Sequence, residues 1–161
     1  MADAFRRFER IARSTYQYSE REAGEQVQLH PFDVRNIHAG FPPKVRQLFD
    51  DGHFPQATFE AFKFIDKLVL KHFGGGESGF KLMMAAFDRG KAQSLKLTPL
   101  SNASEIDEQD GYRFIFAGAA QAIRNPRGHE VTLTDDVDTC LDHLAFASML
   151  IRRMEAAGFG I

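Results

Sequence analysis

The sequence is nearly devoid of cysteine: Cys140 stands alone among 161 residues. Disulfides within the chain are therefore excluded, a structural zinc site lacks its thiolates, and a reducing compartment is the expected setting. Cys140 falls inside an apolar helical pattern with nothing nearby to lower its pKa, which predicts a packed thiol and not a nucleophile. Long apolar runs are lacking too. No stretch approaches the roughly 20 residues that cross a bilayer, and the first ten residues mix arginines with Asp3 and Glu9 where a signal peptide would be apolar. The expectation is a soluble, cytoplasmic protein with no membrane partner. Nor is there an excess of either charge. Lys+Arg 20 against Asp+Glu 22 leaves a net charge of −2, which argues against a surface coated by nucleic acid and requires any phosphate site to be local.

Several familiar chemistries are missing their motifs. There is no Gly-x-Ser-x-Gly elbow, which disfavours acyl transfer. His30, His38, His53, His72 and His143 show no metal-ligand spacing, so no metal and no cofactor is expected, and His72 and His143 receive no role. Gly74-Gly75-Gly76-Glu77-Ser78-Gly79 has the form of a dinucleotide fingerprint. A helix precedes it where a strand is needed, and the acidic residue expected about 20 positions later is absent, so it reads as a helix stop and turn. No internal repeat is present.

What remains is a pattern of amphipathic segments, with 43% hydrophobic residues sufficing for one core. Residues 1–28 read as an N-terminal helix, with Phe5, Phe8 and Ile11 at helical spacing, followed by a polar extension; residues 29–161 form the main domain. Pro42 and Pro43 open a short helix. Phe59, Phe62, Ile65, Leu68, Val69 and Phe73 then mark the clearest helix, ended by the glycines. A shorter helix carries Phe80, Met83, Met84 and Phe87. Leu95 and Leu97, and later Val131 and Leu133, alternate as two short strands able to pair in a ribbon. The polar run from Ser101 to Asp110 reads as a loop. Tyr112, Ile115, Phe116, Ala119, Ala122 and Ile123 make a second core helix, which Pro126 should end near Arg124. Thr134 is expected to cap a last helix lined by Val137, Leu141, Leu144, Ser148, Ile151 and Met154. The fold class is mainly all-α: a bundle of four to five core helices.

Arg124-Asn125-Pro126-Arg127-Gly128-His129 gathers two guanidinium groups, an amide and an imidazole at that helix exit. Arginine forks onto phosphate, histidine titrates near neutrality, and the amide orients an oxygen, so these are the parts of a metal-free nuclease. The same residues also have an ordinary account: cations complement a helix C-terminus, and Asn-Pro plus Gly is turn chemistry.

Arg124-Asn125, three residues, then His129 resembles the R-x4-6-H signature of the HEPN superfamily, including the asparagine that often follows its arginine. The flanking text is similar to the Ymh-type family of HEPN-related proteins, often grouped with abortive-infection factors. Matching blocks are Leu29-His30-Pro31; Ala57, Ala61 and Lys63; Gly79, Leu82-Met83 and Phe87; Gly111-Tyr112 and Phe116 through Ala119; Ala122 through Pro126; and Leu144, Ser148, Leu150 and Arg152-Arg153. The resemblance implies a HEPN-like helical bundle and a metal-independent endoribonuclease in a defence or toxin–antitoxin context. Arg124 and His129 would be catalytic and Asn125 and Arg127 RNA-binding, at the cleft of a homodimer. It leaves room for an antitoxin or nucleotidyltransferase partner, and for a non-catalytic bundle that binds RNA, a nucleotide or a protein. Arg127-Gly128 departs from the smaller neutral residue commoner before the histidine; the extra charge should favour phosphate and the glycine should loosen His129. Arg35-Asn36-Ile37-His38 imitates the motif with too short a spacing.

Overall fold

Apolar residues three and four apart, a proline in the first turn and a glycine at the end specify the central helix of the protein, Phe54–Phe73. The computed structural model describes residues 8, 10–12, 29–130 and 132–161. The chain divides into two units, Met1–Asn36 and Ile37–Ile161. In the first, residues 8 and 10–12 are helical, and the polar extension and the boundary at residue 28 lie outside the described residues. Helix α1, Pro31–Val34, starts at His30, whose Nδ1 accepts from the Phe32 N–H at 3.1 Å.

The second unit is built from α2 (Pro43–Asp50), α3 (Phe54–Phe73), α4 (Gly79–Ala86), α5 (Ala103–Ala119), a π turn (Ala120–Arg124), α6 (Asn125–His129) and α7 (Val137–Ala156). Helix α3 packs against α2, α4, α6, α7 and the π turn, while α5 packs on α4 and the π turn. Its buried residues are Ala57, Thr58, Ala61, Phe62, Ile65, Asp66, Leu68 and Val69. Helix α7 supplies the opposing layer with Leu144, Ala147, Leu150, Ile151 and Met154. Cys140 is buried there, donating to the Phe54 carbonyl at 3.4 Å and accepting from Thr58 Oγ1 at 3.6 Å. Burial pushes its thiol pKa up to about 11. The all-α class holds.

Four local expectations change. The polar run 101–110 is mostly helix, because Asn102 caps α5: its Oδ1 accepts from the Glu105 N–H at 3.0 Å, while Glu105 accepts in return from the Ser101 N–H at 2.7 Å. No strand forms among the described residues. Leu95 and Leu97 are both buried in a loop whose N–H groups donate to Ala86 O and to Gln109 Oε1; Val131 lies outside the described residues, and Leu133 sits in irregular chain. The buried face of α5 centres on Gln109, Phe116, Ala117 and Ala119, leaving Ile115 and Phe114 exposed. Asp136, not Thr134, caps α7 by accepting from the Thr139 N–H at 2.7 Å.

Gln109 explains how so long a connection stays ordered. Fully buried, it accepts from Leu97 N–H and donates Nε2 to the Phe87 and Leu95 carbonyls, each at 3.0 Å. Replacing it strands three backbone groups away from water. Gln109→Ala is expected to cost about 3 kcal/mol in urea unfolding; a loss below ~1 kcal/mol would mean that water reaches the loop. For Cys140, a raised pKa keeps the thiol protonated at pH 8. Alkylation by iodoacetamide should therefore be at least about 100-fold slower in the native protein than in denaturant, and folded stability should decline as pH rises from about 9 toward about 11.

Candidate functional site at the interrupted helix

A proline ring inside a helix collides with the carbonyl four residues earlier and brings no N–H. The expected outcome was a helix end near Arg124; the chain instead widens its turn. The Asn125 N–H donates to Ala120 O in a π turn, Asn125 keeps helical angles (φ −63, ψ −45), and α6 runs on to His129. Arg127 helps to hold the interruption, donating Nη1 to Ile123 O at 2.9 Å. Arg124 thus sits inside a bent helix and not at its C-terminus.

From that position the Arg124 side chain, 20% exposed, reaches back over α3. Its Nη2 lies 3.5 Å from Asp66 Oδ2, its Nη1 donates to Asn125 Oδ1 at 3.1 Å, and its Cζ stands 5.3 Å from the centroid of the Phe59 ring. Its Nε is buried with no hydrogen-bond partner among the described residues. Lys63 Nζ sits 5.7 Å from the same ring, so Phe59 carries two cations. Asp66 is itself buried and accepts from the Gly79 N–H at 3.0 Å. Burial raises its pKa, against the pull of Arg124 and of that N–H. Gly79 adopts φ +57, a conformation that suits glycine, while a Cβ there would make ordinary contact with Arg124 Nη1 at 3.6 Å.

The remaining motif residues go elsewhere. Arg127 is turned inward, its Nε and Nη2 each 2.6 Å from the Asp135 carboxylate, with side chains only 8% and 5% exposed. It ties α6 to the approach of α7, and the expected RNA-facing charge is not presented there. Gly128 lies against the Phe59 ring. It shares the helix face of Arg124, and a Cβ would come 2.6 Å from Phe59 Cε2, so the glycine is what lets α6 lie on that ring. His129 is exposed at the end of α6, with no partner among the described residues. Five residues of helix put it about 140° around the axis from Arg124, on the side of Asn125. One chain therefore holds Arg124 and Asn125 together and turns His129 around the helix away from the arginine. His38 of the shorter imitation motif serves structure: its Nδ1 accepts from the Gly40 N–H and its Nε2 meets Glu155 at 3.0 Å.

His143 lies near the Arg127–Asp135 pair, its Nδ1 buried and unpartnered, its pKa lowered by burial and then by Arg127. An open depression of about 330 Å3 is lined by Asp88, Arg89, Asp110, Arg113 and Phe114. Its ion pairs, Arg89–Asp110 at 3.0 Å and Arg113–Asp88 at 3.1 Å, cancel its charge. Among the described residues no three His, Cys, Asp or Glu side chains converge as a metal site, and no helix is long and apolar enough to cross a membrane.

Fold and site together define an all-α protein with an arginine-centred polar site beside a helix interruption. The family model described as "Protein of unknown function (Hypoth_ymh)" matches residues 35–154, and the chain belongs to that family. No curated protein and no solved structure matches it.

The contact between Gly128 and Phe59 is testable. Gly128→Ala should destabilise by about 1 to 3 kcal/mol despite alanine's better helix propensity. Much of that loss should disappear in the Phe59→Leu background. Additive losses in a double-mutant cycle would show that the two positions do not touch.

Proposed function

We propose that this protein is a metal-independent endoribonuclease of the HEPN type, acting in a cytoplasmic defence or toxin–antitoxin setting. The observation that carries the reading is a guanidinium held in place yet incompletely used, with Arg124 Nε unpartnered, five residues before an unengaged imidazole. In the proposed reaction the RNA 2′-oxygen attacks its own phosphorus and the bond to the 5′-oxygen breaks, leaving a 2′,3′-cyclic phosphate and a 5′-hydroxyl. One imidazole takes the 2′-hydroxyl proton and another gives a proton to the leaving oxygen. Arg124 stabilises the added negative charge on the phosphoryl oxygens, and Asn125 and Asp66 position it. DNA, without the attacking hydroxyl, is spared.

A single chain supplies one such imidazole, facing away from its own arginine. The reaction therefore calls for two copies around a two-fold axis, with His129 of one approaching Arg124 of the other. The exposed stripe of Ile115 and Gly118 on α5 and Ala122 in the π turn offers the face for that second copy. A non-catalytic bundle that binds RNA or a protein partner is the second reading. The internal pairing of Arg127, and in part of Arg124, favours it.

The test is cleavage of end-labelled RNA in EDTA by wild type, Arg124→Ala and His129→Ala, with sedimentation of each. Wild type should yield cyclic-phosphate ends, and each variant should lose about 100-fold or more in rate, the size of a lost preorganised donor. Ile115→Asp should sediment as a monomer and lose cleavage together with dimerisation. Equal cleavage by wild type and both alanine variants would place the activity elsewhere, and no cleavage by any would leave the binding module.

A further inference from the structure

Around the exposed side of α3 the charges are strongly one-sided. Lys63, Lys67 and Lys71 recur every fourth residue, so their Cα atoms rise about 6 Å from one to the next on one flank of the helix. Lys67 and Lys71 are exposed and take part in no ion pair among the described residues. Asp66 is turned into the site. The carboxylate on this flank, Glu60, is already held by Lys44 at 3.1 Å and by Lys63 at 3.3 Å. Four lysines thus face one carboxylate on a chain whose net charge is −2. The balancing acids lie elsewhere, among them Glu105, Asp107, Glu108 and Asp110 on α5 and Asp136, Asp138 and Asp142 at the start of α7.

The ridge also has a direction. Lys63 shares the Phe59 ring with Arg124, and each later lysine lies one turn farther along α3, toward Gly74. We infer that the Lys63–Lys67–Lys71 flank of α3 is the track along which a single RNA strand lies, its phosphates on the lysines and one of them delivered to Arg124. This rests on the RNA reading above and adds the path of the strand. The lysines contact backbone, so they give affinity and register without base sequence. A protein partner with an acidic segment is the competing occupant, and the experiment separates it.

Labelled single-stranded RNA is titrated by fluorescence anisotropy against His129→Ala protein, alone and with Lys67→Glu and Lys71→Glu added. Lys96→Gln, exposed in the loop before α5, is the control. Thermal melts establish that each variant is folded. The double charge reversal should weaken binding at least 10-fold. It should also flatten the dependence of log affinity on log salt by about 1.4, two single-strand contacts at ~0.7 each; Lys96→Gln should do neither. DNA of the same sequence should bind with the same lysine dependence while resisting cleavage by wild type. RNA affinity and salt slope indifferent to both lysines would overturn the track and leave the nuclease reading standing. Lysine-dependent binding by a wild type that cleaves nothing would do the reverse. No RNA binding at low salt would sink the track and leave this flank to an acidic protein.

Discussion

Pro126 imposes the constraint from which the site follows. A helix meeting a proline ordinarily ends, because the ring collides with the preceding turn and one hydrogen bond is lost. Here the turn before it widens to the i→i+5 pattern, with Asn125 bonding to Ala120 O, and Arg127 Nη1 adds a donor at Ile123 O. The chain thereby crosses the proline and keeps a short helix beyond it. A wider turn also re-phases the face that follows. Arg124 looks back onto α3 and Gly128 lands on Phe59, while His129 stands exposed at the end of the short helix.

The interaction that fixes this geometry is the meeting of Arg124 with Asp66. A carboxylate in the buried phase of an apolar helix is costly unless something ionic or hydrogen-bonding answers it. Its raised pKa shows that burial outweighs the help that it receives. Such a pair is weak as a source of stability, because desolvation consumes most of the attraction. What it supplies is position. Asp66 accepts from the first residue of α4 and faces the guanidinium of the π turn, so three segments distant in sequence are held at one carboxylate. Asn125 and the Phe59 ring take up further sides of the guanidinium, and Nε is left without a partner.

The strongly periodic parts of this architecture were legible in the sequence, since Phe62, Ile65, Leu68 and Val69 can be buried together only on a helix. The all-α class and the apolar face of α7 follow from the same argument. Elements governed by a single polar residue were not legible. Gln109 occupies a core position that apolar periodicity assigns to no one, and its three bonds replace the strand that Leu95 and Leu97 suggested. Asn102 and Glu105 start α5 inside a run that composition marks as loop. At the site, the spacing singled out Arg124, Asn125, Arg127 and His129 but said nothing of their directions. The ion pair that hides Arg127 needs Asp135 brought across a turn, and the widened turn that carries the helix past Pro126 has no sequence signature apart from the proline. Asp66 did leave a signal: a lone carboxylate in the midst of Phe62, Ile65, Leu68 and Val69 must have a buried partner.

The direction of His129 is what joins the local geometry to the proposed activity. Phosphodiester transesterification needs proton transfers on both sides of the phosphorus, and an arginine close enough to feel the charge that develops there. In one chain the helix carries the imidazole about 140° around its axis from the guanidinium, which favours an imidazole from a second copy at the same phosphate. A second copy turned about a two-fold axis reverses that relation, because the face that one chain presents outward is the face that its mate receives. On this reading the active species is bimolecular in the protein itself. Dilution below the dissociation constant of the dimer then dismantles the site without unfolding any chain, and a partner covering the α5 stripe would silence it in the same way. The restraint that a toxic nuclease requires would reside in the surface that assembles it, apart from the residues that carry out the cleavage.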